Sequence, residues 1–268
     1  MSDRVTVQVS GHVADVRLNR ADKLNALDYE MFTSLIETGR SLATTRGLRA
    51  VVLSGNGRAF SAGLDFMSFM AMAGSGREVP SLLRRDGRSA ANDAQLAAWV
   101  WKELPVPVIA AVHGTCYGGG LQIAAAADIR IVHPEAKLSV REMYWGLVPD
   151  MSGTRTLRHL LRMDVLKELT YTARIVSGTE AVELGLCTRA AEDPYAAAME
   201  LATQIAASSP TTMRSAKKLL DEAYDISDDE AGLKLEETLQ RALLGSPNQI
   251  EAVQANMEKR APEFTDPD

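Results

Sequence analysis

A triple glycine placed directly after a buried strand constrains this chain more than any other feature. The run Val106–Val112 is apolar almost throughout, which is typical of a parallel strand covered on both faces. Gly118–Gly120 follow, and then a small-residue helix predicted over Leu121–Ala127. Glycine lets a ligand approach the backbone closely, and the first amides of a helix have no intrahelical acceptor. The turn is therefore predicted to present N–H groups to a negatively charged oxygen.

Glu142 is the candidate acid or base, about twenty residues beyond that turn. The alternative is a surface glutamate beside Arg141, the commoner fate of this residue type. The neighbouring residues favour a semi-apolar cavity instead, and they are Val140, Met143, Tyr144, Trp145 and Leu147. Amide donors beside a carboxylate suit the chemistry of an enolate formed at a thioester.

Several further motifs occur in a fixed order along nearly the whole chain. They are Leu18-Asn19-Arg20, Lys23-Leu24-Asn25-Ala26-Leu27, Phe60-Ser61-Ala62-Gly63-Leu64-Asp65, the triple glycine, and Glu258-Lys259-Arg260. In this combination they resemble the crotonase superfamily, the enoyl-CoA hydratases and isomerases. The resemblance implies an α/β fold, a spiral of repeated ββα units with a C-terminal helical region. It divides the chain into a core carrying the active site (1–195) and a helical region (196–268), and it implies a homotrimer or a dimer of trimers.

The resemblance also implies the roles of individual residues. The backbone amides of Leu64 and Gly119 would form the oxyanion hole, and Glu142 and Asp150 are the catalytic candidates. Residues implied to contact the acyl-CoA substrate are Lys23, Leu24, Ala26, Ala62, Asp65, Phe66, Gly118 and Gln122. Phe66, Met67, Phe69 and Met70 are candidates for an acyl tunnel, although their helical spacing is equally typical of core packing. No metal site is expected, and coenzyme A belongs to the substrate rather than being a cofactor.

Gln122 is a departure from the family pattern. Family hydratases carry a glutamate there as well as at the position of Glu142, and an amide cannot exchange a proton at neutral pH. Asp150 follows Glu142 by eight positions, as in the dienoyl-CoA isomerases of the family, although those carry an aspartate where this chain has Gln122. The alternative for Asp150 is the N-cap of a helix near Met151.

These residues predict an enzyme that acts on a fatty enoyl-CoA through an oxyanion-stabilised enolate, with Glu142 moving the proton. Isomerisation of a double bond is favoured over hydration because Gln122 replaces one hydratase glutamate. Hydration remains an alternative. A further alternative is an acyl-CoA-binding protein that keeps the fold without turnover, which Gln122 favours and Glu142 opposes.

Composition narrows the class of protein. A net charge of -6 and the absence of a basic cluster argue against a nucleic-acid partner. No apolar run reaches the eighteen or so residues of a membrane span. Cys116 and Cys187 have no metal-like spacing and are predicted to be reduced thiols in a cytoplasmic protein. The stretch from Gly74 to about Asp93 has no clear period and is a candidate lid or wall over the site.

Overall fold

A computed structural model describes residues 3–74, 81–85, 87 and 89–267. Residues 75–80, 86 and 88 of the candidate lid or wall between Gly74 and Asp93 lie outside these ranges. The strands are β1 (Val5–Ser10), β2 (Val13–Leu18), β3 (Ala50–Gly55), β4 (Val108–Val112), β5 (Thr115–Tyr117), β6 (Ile129–Val132), β7 (Lys137–Ser139), β8 (Val176–Ser177) and β9 (Arg189–Ala190). The α-helices are α1 (Tyr29–Ala43), α2 (Phe66–Gly74), α3 (Asp93–Lys102), α4 (Gly119–Ala126), α5 (Gly153–Thr156), α6 (Met163–Thr172), α7 (Gly178–Glu183), α8 (Pro194–Ala206), α9 (Pro210–Ala223), α10 (Asp229–Leu243) and α11 (Pro247–Glu258).

Two sheets organise the chain. The larger has the order β1-β2-β3-β4-β6-β9, with β1 and β2 antiparallel and the other neighbours parallel. The smaller sheet has the order β5-β7-β8. The α/β class and the helical C-terminal region are therefore as predicted, and the predicted buried strand is β4 in the middle of the larger sheet.

The larger sheet is covered on both faces, which explains its continuous apolar strands. Alternate residues of β2, β3 and β4 join the main core, which also contains buried residues of α1, α3 and α4. The opposite face contacts Ala198, Ala202 and Ala206 of α8. The predicted division at residue 195 stays a prediction, although α8 begins at Pro194 and packs on this sheet.

Two segments differ in helical extent from what the sequence pattern suggests. The helix expected from Leu121 begins two residues earlier, because Gly118 adopts φ 50° and serves as its N-cap, which makes Gly119 the first helical residue. Residues 152–161 contain the short α5 followed by a 3₁₀ turn, Leu157–His159, rather than one continuous helix. In the helical tail, α9 and α11 each begin at a proline, Pro210 and Pro247, a residue favoured in the first turn of a helix.

No helix among the described residues is long and apolar enough to cross a membrane. The same part of the chain contains no group of three His, Cys, Asp or Glu side chains that could hold a metal ion. Cys116 and Cys187 are both buried and free.

Candidate active site

The turn between β5 and α4 positions the amide of Gly119. Gly118 donates its N–H to the Ser139 carbonyl (3.0 Å), which ties the turn to β7. Gly119 follows as the first residue of α4, where an N–H has no partner inside the helix. Within the described residues this N–H donates no hydrogen bond, and it is therefore available to a ligand.

The amide of Leu64 is oriented by a β-bridge to Leu27. That bridge is made by the flanking residues: Leu27 donates to the Gly63 carbonyl (2.8 Å), and Asp65 donates to the Leu27 carbonyl (3.0 Å). The N–H of Leu64 consequently faces away from Leu27, and within the described residues it donates no hydrogen bond. The two amides are neighbours, since a Cβ added to Gly63 would lie 3.6 Å from the Gly119 nitrogen.

Both predicted oxyanion donors border one cavity of about 170 Å³. Its charged lining residues, within the part of the chain that the structure describes, are Arg141, Glu142 and Asp150. The rest of its wall is apolar side chains and small backbone positions, namely Phe32, Ala62, Gly63, Leu64, Phe66, Phe69, Leu82, Leu83, Ala94, Gly118, Gly119, Trp145, Leu147 and Met151. A polar cluster in a mostly apolar cavity is typical of a small-molecule site.

Glu142 is the buried acid of this cavity. It begins a 3₁₀ turn, Glu142–Trp145, and is 8% exposed. Its Oε1 accepts a hydrogen bond from Gln122 Nε2 (2.5 Å), whereas its Oε2 is buried without a hydrogen-bond partner in the described residues. Burial raises the pKa of the Glu142 carboxyl; hydrogen bonds from its own backbone and from Gln122 oppose this, and the charge of Asp150 adds to it.

Asp150 faces the same cavity from an exposed position at its edge. Burial by its surroundings raises the pKa of its carboxyl. Asp150 and Glu142 line the same cavity, and the charge of Asp150 adds to the rise in the pKa of Glu142. The alternative of a helix cap is wrong, since the N-cap of α5 is Ser152 and no side chain caps that helix.

Gln122 lies behind Glu142 and does not line the cavity. Its side chain is 1% exposed. Its Oε1 accepts hydrogen bonds from the backbone N–H groups of Met151 (2.8 Å) and Gly153 (2.9 Å). The predicted substrate contact is thus replaced by contacts within the protein, because α4 turns this side chain toward the 142–153 segment.

The other predicted substrate contacts divide into two groups. Ala62, Phe66 and Gly118 line the cavity together with the oxyanion donors. Lys23, Leu24 and Ala26 do not line it. Lys23 is exposed, and the Leu24 carbonyl accepts the N–H of Ala62 (2.9 Å), which holds that segment beside the oxyanion loop.

Only part of the proposed acyl tunnel faces inward. Phe66 and Phe69 line the cavity, and Phe66 stacks on Trp145 with ring centroids 4.5 Å apart. Met67 and Met70 are 77% and 71% exposed and do not line it. Helix α2 therefore presents Phe66 and Phe69 to the cavity and Met67 and Met70 to the surface.

Asp65 is held by protein groups rather than facing the cavity. It accepts hydrogen bonds from the backbone N–H (3.0 Å) and hydroxyl (2.6 Å) of Ser68 at the start of α2, and it pairs with Arg20 (2.7 Å). Burial alone would raise its pKa, but these hydrogen bonds and the ion pair outweigh burial and lower the pKa to about 2. Arg20 was not among the predicted site residues. Its place in the Leu18-Asn19-Arg20 motif was the only sequence signal for this ion pair.

The chain matches a known enzyme family over nearly its whole length. The family model for enoyl-CoA hydratase/isomerase matches residues 8–267. The chain belongs to the enoyl-CoA hydratase/isomerase family. It is an enzyme of the crotonase type, and the fold predicted from the motifs is confirmed.

Relatives of this crotonase-family enzyme carry names of both reaction types. The mitochondrial Delta(3,5)-Delta(2,4)-dienoyl-CoA isomerase of Mus musculus is 34% identical over 267 residues, covering 93% of this chain and 77% of that protein. A probable enoyl-CoA hydratase of Bacillus subtilis is 35% identical over 243 residues, covering 90% of each chain.

Solved structures support the same fold. The enoyl-CoA hydratase of Bacillus anthracis superposes with a TM-score of 0.86 at 29% identity, covering 97% of this chain and 98% of that chain. The crystal structure of a putative enoyl-CoA hydratase from Streptomyces coelicolor A3(2) gives a TM-score of 0.88 at 29% identity, covering 98% of this chain and 94% of that chain.

We expect Asp65→Asn to destabilise this crotonase-family enzyme by about 1–3 kcal/mol, because Arg20 loses a buried charged partner while the helix cap survives. We also expect roughly a tenfold lower kcat, because the adjacent Leu64 amide shifts. Since the folded pKa is depressed, the wild-type advantage is present above pH 3.8 and is lost as the pH falls toward about 2. Urea unfolding across this range measures it, and equal stabilities at pH 7 would contradict the assignment.

The free energy of unfolding should also depend on the buried charge of Glu142. Its pKa is raised in the folded state, so the stability that its protonation contributes is present below pH 4.5 and is lost as the pH rises through the folded pKa. Glu142→Gln avoids burying this charge and is expected to be more stable than wild type at pH 8, by about 1–3 kcal/mol. Urea unfolding at pH 4 and pH 8, at equal protein concentration, should show the difference only at pH 8. A difference that does not depend on pH would contradict the burial of a charged group.

Proposed function

We propose that this enzyme moves a double bond in a fatty enoyl-CoA or dienoyl-CoA thioester. The observation that carries the proposal is the pairing of one buried carboxylate, Glu142, with an amide at position 122 where hydratases of the family carry a second carboxylate. Asp150 supplies a second acid on the same cavity wall. The name of the Mus musculus relative agrees with this chemistry.

The proposed reaction begins with removal of a proton from an acyl carbon by Oε2 of Glu142. The electron pair of the broken C–H bond enters the conjugated system and places negative charge on the thioester oxygen, where the amides of Leu64 and Gly119 donate hydrogen bonds. Glu142 or Asp150 then returns a proton to a different carbon. The product has the atoms of the substrate, and no water is consumed.

Hydration is the second candidate, supported by the names of the Bacillus subtilis and Bacillus anthracis proteins. It requires a group that deprotonates water and a group that protonates the acyl chain. Gln122 has both ends of its amide hydrogen-bonded to protein and cannot accept a proton. Gln122 therefore cannot share the proton transfers with Glu142 as a second glutamate at that position would, which favours isomerisation.

A panel of 2-enoyl, 3-enoyl and 3,5-dienoyl-CoA thioesters of several chain lengths tests the proposal. Isomerisation changes the ultraviolet spectrum without changing the mass, and in D₂O it places deuterium on carbon. Hydration adds the mass of one water and yields a 3-hydroxyacyl product. A water adduct as the main product would overturn the isomerase assignment in favour of hydratase.

We further propose a homotrimer or a dimer of trimers, with no cofactor beyond the coenzyme A of the substrate and a cytoplasmic location. Exposed apolar side chains on and near α9–α11 support self-association, and they include Leu220, Tyr224, Leu233, Leu244 and Met257. Light scattering coupled to gel filtration measures the oligomeric state.

A further inference from the structure

The orientation of the Gln122 amide follows from its partners. Its oxygen receives the N–H groups of Met151 (2.8 Å) and Gly153 (2.9 Å). Its nitrogen must then face Glu142 Oε1, to which it donates at 2.5 Å. If the amide were flipped, its NH₂ group would face the N–H donors of Met151 and Gly153, and its oxygen would face the Glu142 carboxylate.

This arrangement makes the two oxygens of Glu142 unequal. Oε1 is held by Gln122, and it lies 3.3 Å from the point where a Cβ on Gly118 would be. Oε2 has no protein partner in the described residues. Rotating the carboxylate would break the only side-chain hydrogen bond that it makes there.

The same amide holds the segment that carries the second acid. The N–H of Met151 belongs to the peptide group directly after Asp150, and it donates to Gln122 Oε1. Gly153 completes this contact, and a Cβ there would lie 2.6 Å from the same oxygen. One buried side chain on α4 therefore contacts the Glu142 carboxylate at one end and the Asp150–Met151 backbone at the other.

We propose that Gln122 is a positioning residue that sets the two acids relative to each other and leaves Oε2 of Glu142 as the only oxygen that exchanges protons. The kinetic effect expected from this arrangement rests on the proposed function. The positioning of the two acids by Gln122 does not. Because an amide does not ionise, Gln122 donates to Glu142 at every working pH. A glutamate in its place would put two carboxyl groups in contact, and they would share one proton.

Among the described residues, the charged groups that line the cavity with Glu142 are Asp150 and Arg141, the residue before Glu142 in the chain. The Arg141 guanidinium donates to the Ala173 carbonyl (2.9 Å) and lies 4.1 Å from the centre of the Tyr144 ring. Helix α4 contributes only the neutral amide of Gln122 to this contact. Changes at position 122 should therefore appear directly in the titration of Glu142.

The first test does not need turnover. The enzyme is labelled with ¹³C-carboxyl glutamate, and the Glu142 signal is assigned by its loss in Glu142→Gln. In Gln122→Met the titration midpoint of Glu142 should rise, because a hydrogen bond to the charged form is lost. In Gln122→Glu the signal should titrate in two steps. Gln249→Met is the matched control, because within the described residues the Gln249 side chain accepts a hydrogen bond from the Gly245 N–H (3.1 Å) and none of its contacts reaches Glu142. It should leave the midpoint unchanged.

The second test is kinetic and uses whichever thioester the wild type converts. Gln122→Met should lower kcat by about 10- to 100-fold with KM changed less than about threefold, because the acids are misplaced while the cavity wall is intact. Gln122→Glu should fold, because it still offers an oxygen to the N–H groups of Met151 and Gly153. Its pH optimum should shift, because its carboxyl group contacts that of Glu142.

An unchanged Glu142 midpoint in both Gln122 variants would overturn the inference. So would equal losses of stability in Gln122→Met and Gln249→Met with no change in the pH profile, since that result describes a purely structural glutamine. If the wild type converts no enoyl-CoA, the proposed function fails, and the titration still decides the role of Gln122.

Discussion

Glu142→Gln is expected to lower kcat for the preferred enoyl-CoA by about 10²- to 10⁴-fold, the usual contribution of a positioned acid or base. The substitution keeps the size of the side chain and an oxygen that can accept from Gln122. It removes the single buried carboxylate oxygen that lacks a protein partner in the described chain. Substrate affinity should change little, because the cavity wall and both backbone amides remain.

Steady-state rates from pH 5 to pH 9 measure this effect. In the wild type the raised pKa of Glu142 should produce an acidic limb, with kcat falling as the carboxylate is protonated. Glu142→Gln should lose that limb along with most of its activity. Asp150→Asn is the companion variant, and we expect a smaller fall, about tenfold, because this exposed acid can be replaced in part by solvent. Unchanged turnover in Glu142→Gln would refute Glu142 as the base.

Gly63→Ala is expected to lower kcat by about 10²- to 10³-fold, as loss of one oxyanion donor does in comparable sites. Gly63 has φ +84°, and an added Cβ would lie 2.7 Å from the Tyr117 carbonyl oxygen. Relief requires the 63–64 peptide to move, and that peptide carries the Leu64 N–H.

Two controls separate this effect from simple strain. Gly245→Ala imposes the same kind of strain at φ +74°, with nothing within 4 Å of the new Cβ, and should lose stability without losing kcat. Leu64→Ala keeps the peptide N–H and should retain most turnover. A large loss of kcat in Leu64→Ala with none in Gly63→Ala would show that the side chain matters and the amide does not. Thermal unfolding confirms that each variant is folded.

Local signals were sufficient for much of the fold. The apolar run before the triple glycine is β4, because a strand buried on both faces has to be apolar throughout. The start of α4 was misjudged by two residues, since glycine has low helix propensity. Only the positive φ of Gly118 and the contacts around it place Gly119 in the first turn.

The predicted roles of Asp65 and Gln122 illustrate what the local sequence does not contain. Asp65 and Gln122 both occur in motifs that suggested substrate contact. Asp65 instead pairs with Arg20, which lies 45 positions away along the chain. Gln122 accepts from backbone groups 29 and 31 positions away. Such partners are chosen by how distant segments meet, and no residue spacing reports that.

The sequence by itself determined the family and the α/β class, and it predicted the oxyanion loop and the acid at position 142, because these depend on short motifs and on apolar periodicity. The tertiary structure alone decided which oxygen of Glu142 is free, that Asp150 faces the cavity instead of capping a helix, and that Gln122 lies behind the acids. The reason is physical: burial and hydrogen-bond partners set the ionisation and orientation of a side chain, and both exist only after strands and helices far apart in the chain have packed together.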